Sequence, residues 1–254
     1  FTVAGADKGY EFLTLPSETK VFNKKTHSQM VQEIAAQIKP SFRALVDDTH
    51  EVIPRKIKKG GEPYLTFLME LVQANEGYEF ALSGRDLIFQ RKKKGQSPDI
   101  QLEWGKTLIN FQPSLNTSQA TTEVVVRAWD GAQKKMIEGR AKAGEEQSQE
   151  PGKKLASQIA HEIFGDVITV VTDKPVRTEA EAKKEAKAIL EKAGDSFITA
   201  TGETLGDPKL QPGKCLDLQG LGAWFSGKYY VEKVTHKIDQ NGYRTSFEAR
   251  RNAL

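Results

Sequence analysis

Few residues of this chain have the type and spacing that catalysis or metal binding requires. The four histidines are His27, His50, His161 and His236. None has a second histidine four residues further on, and none lies near a cysteine at a spacing that binds zinc. Glu162 follows His161 as in zinc proteases, but Gly165 stands where the second histidine would be. We therefore expect a helix-end histidine at position 161 and a sheet-face histidine at position 236, with no metal at either.

The candidate nucleophiles are equally isolated. Cys215, the only cysteine, lies in an alternating segment that is typical of a strand with a small buried side chain. Ser226 precedes Gly227, but a nucleophile elbow also needs a glycine two residues before the serine, and none is there. We therefore expect neither side chain to act as a nucleophile.

The sequence also lacks a phosphate-binding loop. The segment Gly220-Leu221-Gly222 has only two glycines, and we expect no helix after it, so it does not match a dinucleotide-binding turn. Aspartates and glutamates are numerous, but the sequence does not show which of them lie close together, and this leaves a glycosidase open. The sequence predicts no catalytic, cofactor-binding or metal-binding residue, no cofactor and no enzymatic activity.

The composition is that of an ordinary globular protein. Of the 254 residues, 38% are hydrophobic and 28% are charged, and the net charge of +3 is too small to predict nucleic-acid binding. Basic residues cluster at 55–59 and 91–94, where we expect solvated loops and strand ends, with a channel lining as the alternative for 91–94. There is no apolar run long enough for a membrane span and no signal-peptide pattern. Since the chain begins at Phe1 without methionine, we expect a fragment or a processed chain.

The first 95 residues predict a short leading segment and a small α+β module. Thr26 or Ser28 begins a helical apolar pattern, and Pro63 near a first helical position begins a second one that Gly77 closes as a left-handed cap. The predicted elements are strand and loop at 3–15, a helix at 26–40, an extended segment at 49–58, a helix at 62–77 and a hairpin at 78–91.

The remaining residues predict a β-rich body with helices inserted near its middle. Strands are predicted at 100–104, 108–111, 123–129, 134–141 and 168–171, and a short helix at 155–164. Thr178 begins a capping box in which Glu181 reaches back to the Thr178 amide, and the alanine-rich helix that follows ends at Gly194. From residue 196 onward the pattern is all β, and Asn241-Gly242 predicts a type I′ turn between the last two strands.

These elements predict an α+β, mainly β fold. We expect an antiparallel, β-barrel-like body. A helical insertion at about 150–195 interrupts this body, and the small α+β module is joined to it.

The C-terminal block also carries a resemblance to a known family. The matching segments there are 202–213, 221–222, 225–231, 236 and 241–251, and further upstream 62–91, 102–105, 111–113 and 126–130. These segments resemble the phage late control gene D family, the baseplate hub proteins of contractile tails. VgrG-like proteins of type VI secretion and of extracellular injection systems share this fold. Ala128 is a departure, because many relatives have glycine there.

The resemblance implies a structural role without catalysis. Relatives are homotrimers with two similar barrels in each protomer, and the trimer joins the hexameric tail tube to the trimeric spike. It implies a tail tube protein, a spike protein and other baseplate components as partners, with no membrane and no specific nucleic acid. The implied location is the tail baseplate of a virion or injection particle, assembled in the bacterial cytoplasm. Residues 1–25 would be a remnant of a first barrel, 26–95 the α+β module and 96–254 the second barrel with its insertion at about 150–195. The resemblance implies that this second barrel is a tube-like antiparallel β-barrel that residues 100–140 and 196–250 share.

Two alternatives remain at this point. One is a cell-wall hydrolase or other tail-associated enzyme carried by the same machine, which would need converging carboxylates or a metal site. The other is a related tube, chaperone or spike-base protein, which only assembly data would distinguish from a hub.

Overall fold

A computed structural model of the chain describes residues 8–38, 42–75, 77–92, 97–117, 120–131, 133–148, 150–174, 176–240 and 242–254. The chain divides into two compact units, Phe1–Lys92 and Lys93–Leu254. Among the described residues, no helix has both the length and the apolar character needed to cross a membrane.

The described residues of the first unit form three helices and five strands. They are α1 Lys8–Thr14, β1 Lys20–Lys25, α2 His27–Ala35, β2 Arg43–Val46, β3 Ile53–Lys58, α3 Tyr64–Gln73, β4 Tyr78–Ser83 and β5 Asp86–Arg91. Strands β1 and β3 pair antiparallel, and β2-β5-β4 form a second sheet in which β2 is parallel to β5. The helices and both sheets bury one apolar core, in which Phe22 and Phe67 stack with ring centroids 5.5 Å apart.

The two predicted helices of this unit begin at the residues that the sequence marked as their N-termini. Thr26 accepts a hydrogen bond from the Gln29 amide at 3.2 Å, and the Gln29 side chain accepts one from the Thr26 amide at 3.0 Å, which closes a capping box. Pro63 is the N-cap of α3. The C-cap of α3 is Ala74 rather than the predicted Gly77, which has a left-handed φ of 69° three residues later. Pro40, which was expected to end the first predicted helix, lies outside the described residues.

Two expectations for this unit were wrong. Residues 8–14 form a helix rather than strand and loop, because Leu13 is buried in the core and Phe12 stacks on Tyr64. Such a short helix depends on tertiary packing, which a local pattern does not show. In the basic cluster at 55–59, Lys58 is fully buried, and its Nζ donates to the carbonyl oxygens of Ser17, Glu18 and Lys59 at 2.9–3.1 Å. Burial lowers the pKa of the Lys58 ammonium.

In the second unit, the part of the chain that the structure describes forms nine strands and three helices. They are β6 Ile100–Glu103, β7 Leu108–Leu115, β8 Glu123–Asp130, β9 Lys135–Lys142, α4 Ala156–Phe164, β10 Ile168–Val171, α5 Glu179–Asp195, β11 Ile198–Leu205, β12 Cys215–Gln219, α6 Gly222–Phe225, β13 Gly227–Asp239 and β14 Gly242–Arg251.

A six-stranded sheet in the order β6-β12-β13-β14-β11-β7 forms the body of this unit. All neighbours are antiparallel except β6 and β12. The two outer strands follow each other in the chain and meet through a bridge between Trp104 and Leu108, so the sheet curls toward itself. One face covers an apolar core that includes Tyr229, Leu216 and Phe247. The expected α+β, mainly β class with a curled, barrel-like sheet is confirmed.

The expectation that residues 100–140 and 196–250 share one barrel holds only in part. Strands β6 and β7 belong to the six-stranded sheet, but β8 and β9 form a separate sheet in the order β10-β8-β9. Helix α5 packs against this small sheet through Ala182, Ala186 and Leu190, which bury Val124 and Val126. Alternation along a strand predicts which face is buried but not which partner buries it, so the pattern of β8 fitted either sheet.

Two predicted helix caps and one predicted turn also differ in detail. Thr178 is the N-cap of α5, but Glu181 accepts from the amide of Arg177 at 2.7 Å rather than from that of Thr178. Gly194 lies inside α5, and Ser196 is the C-cap. Asn241 of the predicted Asn241-Gly242 turn lies outside the described residues. Gly242, with a φ of +98°, pairs with Asp239 and is therefore the first residue of β14 rather than a central residue of the turn.

Close packing of β9 on α5 depends on one glycine. A Cβ at Gly139 would lie 2.1 Å from the Lys183 nitrogen and 2.2 Å from the Ala182 carbonyl carbon. Both are helix backbone atoms, which a rotamer change cannot move away.

Gly139→Ala should therefore destabilise the second unit by about 1–3 kcal/mol, because the helix must shift from its sheet. Urea unfolding of the variant and the wild type measures this difference. Gly131→Ala in the same hairpin is the matched control, since its Cβ would meet nothing within 4 Å, and it should stay within about 0.5 kcal/mol. Equal effects of the two substitutions would contradict the packing argument.

A buried arginine ties the end of the six-stranded sheet to the insertion. Arg251 in β14 is 0% exposed. It donates to Glu150 Oε2 at 2.9 Å and to the Ser226 carbonyl oxygen at 2.7 Å. Its guanidinium carbon lies 5.7 Å from the centroid of the Tyr229 ring. A buried charge needs such partners because it has lost its hydration.

Arg251→Met should destabilise the protein by about 3 kcal/mol, because it leaves Glu150 without its cation in a mostly buried position. The double variant Arg251→Met/Glu150→Met should recover part of this loss, since no unpaired charge remains. Thermal and urea unfolding of the wild type, the two single variants and the double variant measure the coupling. A double variant less stable than either single variant would show that the ion pair is not the cause.

Candidate functional site: the polar face of the six-stranded sheet

The broadest candidate surface is the face of the six-stranded sheet that lies opposite its apolar core. Strands β7, β11, β14 and β13 are neighbours in that order, and alternate residues of each point to this face. Together they line a shallow depression of about 220 Å³. Its polar side chains are Asn110, Gln112, Thr201, Glu203, Lys233, Thr235, Ser246 and Glu248.

The charged groups on this face have partners. Lys233 Nζ lies 2.8 Å from Glu248 Oε1, across the pair β13–β14. Arg244 Nη1 lies 3.9 Å from Glu203 Oε1, across the pair β14–β11. Hydroxyl and amide groups occupy the positions between them. The face therefore offers hydrogen bonds and ionic contacts over a broad open surface.

Gly202 leaves room for an aromatic ring in the apolar core on the opposite side of the sheet. It pairs with Phe247 of β14, and a Cβ at position 202 would lie 2.3 Å from Phe247 Cζ. The ring fills the space that a side chain on β11 would take. The polar surface on one side and the buried ring on the other therefore depend on a glycine at this position.

The histidines lie in separate surroundings. His27 begins α2, where its Nδ1 lies 2.9 Å from the Asn75 amide nitrogen, and His50 lies 3.2 Å from Asp48. His161 lies in the last turn of α4, 3.4 Å from Asp166, as expected for a helix-end histidine.

His236 lies on β13 with an exposed ring. Its Nδ1 is 2.9 Å from the Tyr243 hydroxyl and 3.1 Å from the Thr245 hydroxyl, both on the neighbouring strand β14. This is the sheet-face position that the sequence predicts. The described residues contain no group of three or more histidine, cysteine, aspartate or glutamate side chains that would hold a metal ion.

Of the two candidate nucleophiles, one is buried in a strand and the other closes a turn. Cys215 is buried at the start of β12, and burial raises the pKa of its thiol. The Ser226 hydroxyl accepts a hydrogen bond from the Leu221 amide at 3.0 Å, which closes the turn around α6. This four-residue helix begins at Gly222, contrary to the expectation that no helix follows Gly220-Leu221-Gly222.

Sequence reasoning missed the buried charges of the second unit. Arg251 continues the buried alternation of Phe247 and Ala249 along β14, and this spacing was a usable signal. Glu146 is buried beside Ser157, whose hydroxyl donates to it, and it also accepts from the Gly144 amide at 3.1 Å. No local pattern marks Glu146, because its partner comes from the following helix.

Comparison with known proteins establishes the family and the fold. Residues 2–240 match the family model described as the Alg8 N-terminal domain. The chain belongs to this family. A comparison with curated protein sequences gave no match.

Solved structures share the fold across nearly the whole chain. A 43 kDa tail protein of prophage MuSo2 from Shewanella oneidensis has a TM-score of 0.73 at 14% identity, covering 97% of this chain and 73% of that one. A tail protein from Neisseria meningitidis MC58 has a TM-score of 0.68 at 13% identity, covering 95% and 72%. A type VI secretion component of E. coli, described as similar to bacteriophage T4 tail proteins, has a TM-score of 0.54 at 15% identity, covering 96% and 53%. The fold of this family member is therefore one found in phage tail proteins.

Cys215 should react slowly with thiol reagents in the folded protein. It is 9% exposed and its pKa is raised, so both access and the thiolate fraction are low at pH 8. We expect modification by Ellman's reagent to be at least about tenfold slower than in urea-unfolded protein. A free cysteine in a short peptide is the control for reagent quality. Native modification as fast as in urea would contradict the buried, unreactive placement.

Proposed function

We propose that this chain is a structural component of a contractile tail or injection machine, where it serves as the baseplate hub. In this role a homotrimer joins the hexameric tail tube to the trimeric spike. The observation that carries the proposal is a fold shared with a phage tail protein along 97% of the chain. The partners are the tail tube protein, the spike protein and other baseplate components, and the location is the tail of the particle.

The geometry of the second unit suits such a role. A hub surrounds a path along which other molecules pass, and a face without large apolar side chains gives them little to adhere to. The depression on the six-stranded sheet is lined mainly by hydroxyl, amide and paired ionic groups. The opposite face packs on an apolar core that includes Leu216, Tyr229 and Phe247.

We also propose a division of the chain into parts of the hub. Residues 1–25 correspond to the end of a first barrel, 26–95 to an α+β module and 96–254 to the second barrel with its insertion. The first unit, 1–92, ends close to the proposed limit of the module. Assembly as a ring of three requires two different complementary surfaces on each copy.

Cryo-electron microscopy of the particle that contains this protein tests the role. We expect the chain in three copies between the tube and the spike, with the six-stranded sheet lining the central path. Density for it at another place in the particle, or in six copies, would overturn the hub assignment.

A cell-wall hydrolase is the alternative function, and no observation on the described residues favours it. Purified protein should release no soluble fragments from peptidoglycan, with lysozyme as the positive control. Turnover that Glu203→Gln or Glu248→Gln abolishes would replace the structural proposal with an enzymatic one.

A further inference from the structure

The small sheet of the second unit has one edge that differs chemically from the others. Strand β10 pairs with β8 on one side only, and no strand of the described residues pairs with its other side. In a parallel pair, every second residue directs its N–H and C=O away from the partner. The outer side of β10 therefore presents unpaired backbone donors and acceptors.

Most open edges in proteins are protected against added strands by prolines or charged side chains. Every other edge strand of the described residues follows this rule. Examples are Pro54 in β3, Arg43 in β2, Glu79 in β4, Glu103 in β6, Pro113 in β7 and Lys135 in β9. Strand β10 and its flanks at 167–172 contain neither a charge nor a proline, and all six residues are β-branched valine, isoleucine or threonine.

The side chains of this edge add an apolar surface. Ile168 and Val170 lie on the face of the small sheet away from α5, and they are 51% and 50% exposed. Thr169 and Val171 point to the other face, where Val171 packs against the core under α5. Hydrogen bonds between Val167 and Thr122 fix the start of β10 at 2.8–3.2 Å. The edge is thus held in place and ready for pairing.

Charges at both ends of the edge favour one kind of occupant. Asp166 precedes the uncharged segment and Asp173 follows it, and both are exposed. The next charged residue, Lys174, is paired with Glu185 of α5 at 2.9 Å. In the antiparallel register that aligns residue 169 with residue 170 of a second copy, Asp166 would lie opposite the copy's Asp173, and like charges opposite each other destabilise strand pairs. A strand with basic residues at both ends has the complementary pattern.

We propose that β10 is a docking edge for an extended strand of a different protein, with an uncharged, apolar centre and a lysine or arginine at each end. The bound strand would add to the small sheet by main-chain hydrogen bonds, and its alternate side chains would pack beside Ile168 and Val170. The inference rests on the edge itself and does not need the hub assignment.

A labelled peptide tests the proposal directly. The probe consists of three Thr-Val repeats with a lysine at each end, and fluorescence anisotropy at low salt follows its binding to the full chain. We expect saturable binding and slower hydrogen exchange of the backbone amides at 168–171. The same peptide with glutamate at each end should bind about tenfold more weakly, since it meets Asp166 and Asp173. Equal binding of both peptides would overturn the charge argument.

Variants of the edge give the decisive comparison. Val170→Lys places a charge on the open edge and should weaken binding of the lysine-ended peptide about tenfold or more. Ile163→Lys on α4 is the matched control, since it also adds a lysine at an exposed apolar position, 63% exposed, and should leave binding unchanged. Ile168→Lys provides a second edge variant should Val170→Lys fail to fold, as judged by circular dichroism. The double variant Asp166→Lys/Asp173→Lys should reverse the peptide preference.

Two results would overturn the proposal. One is binding that both edge variants leave intact. The other is a wild-type dimer in sedimentation that Val170→Lys abolishes, because the occupant of the edge would then be a second copy of the chain.

Discussion

The buried guanidinium of Arg251 is the interaction on which the second unit most depends. A charge without water is stable only where several partners surround it. Those partners are Glu150 from the loop before α4, the Ser226 carbonyl at the start of β13 and the ring of Tyr229. Strand β14, which carries Arg251, lies in the middle of the six-stranded sheet. Arg251 therefore joins the middle of the sheet to the loop at residue 150.

The residues after Arg251 extend this coupling. The Asn252 side chain donates to the Gln147 carbonyl oxygen at 2.8 Å, and Lys154 and Leu254 exchange backbone hydrogen bonds at 3.0 Å. Glu146, in the same loop, accepts from the Gly144 amide at 3.1 Å, and Ser157 donates to it at the start of α4. The loop thus connects the last strand to the first turn of the insertion helix. This explains how a chain segment inserted between β7 and β11 keeps a fixed position in the unit.

The sequence predicted the local elements well, because their signals are local. Thr178 at the start of α5 and the alternation of β14 come from residues that are adjacent in sequence. The assignment of β8 to the barrel failed for a different reason. The apolar side chains of Val124 and Val126 are stable only when they are buried. The alanine-rich face of α5 buries them, as the core of a barrel would also have done. The helix at 8–14 was missed because the buried position of Leu13 comes from tertiary packing.

The sequence predicted the fold class but neither candidate surface, since each surface is made by strand order. Asn110, Thr201 and Lys233 form one polar face only because β7, β11, β14 and β13 are neighbours. The uncharged segment at 167–172 could be read from the sequence, but its meaning depends on β10 being an edge. In a central strand the same six residues would be ordinary core. At an edge they lack the charge or proline that the other edge strands have, and such a segment can accept a further strand. The polar face and the uncharged edge belong to different sheets, so substitutions in β10 change no side chain of the polar face.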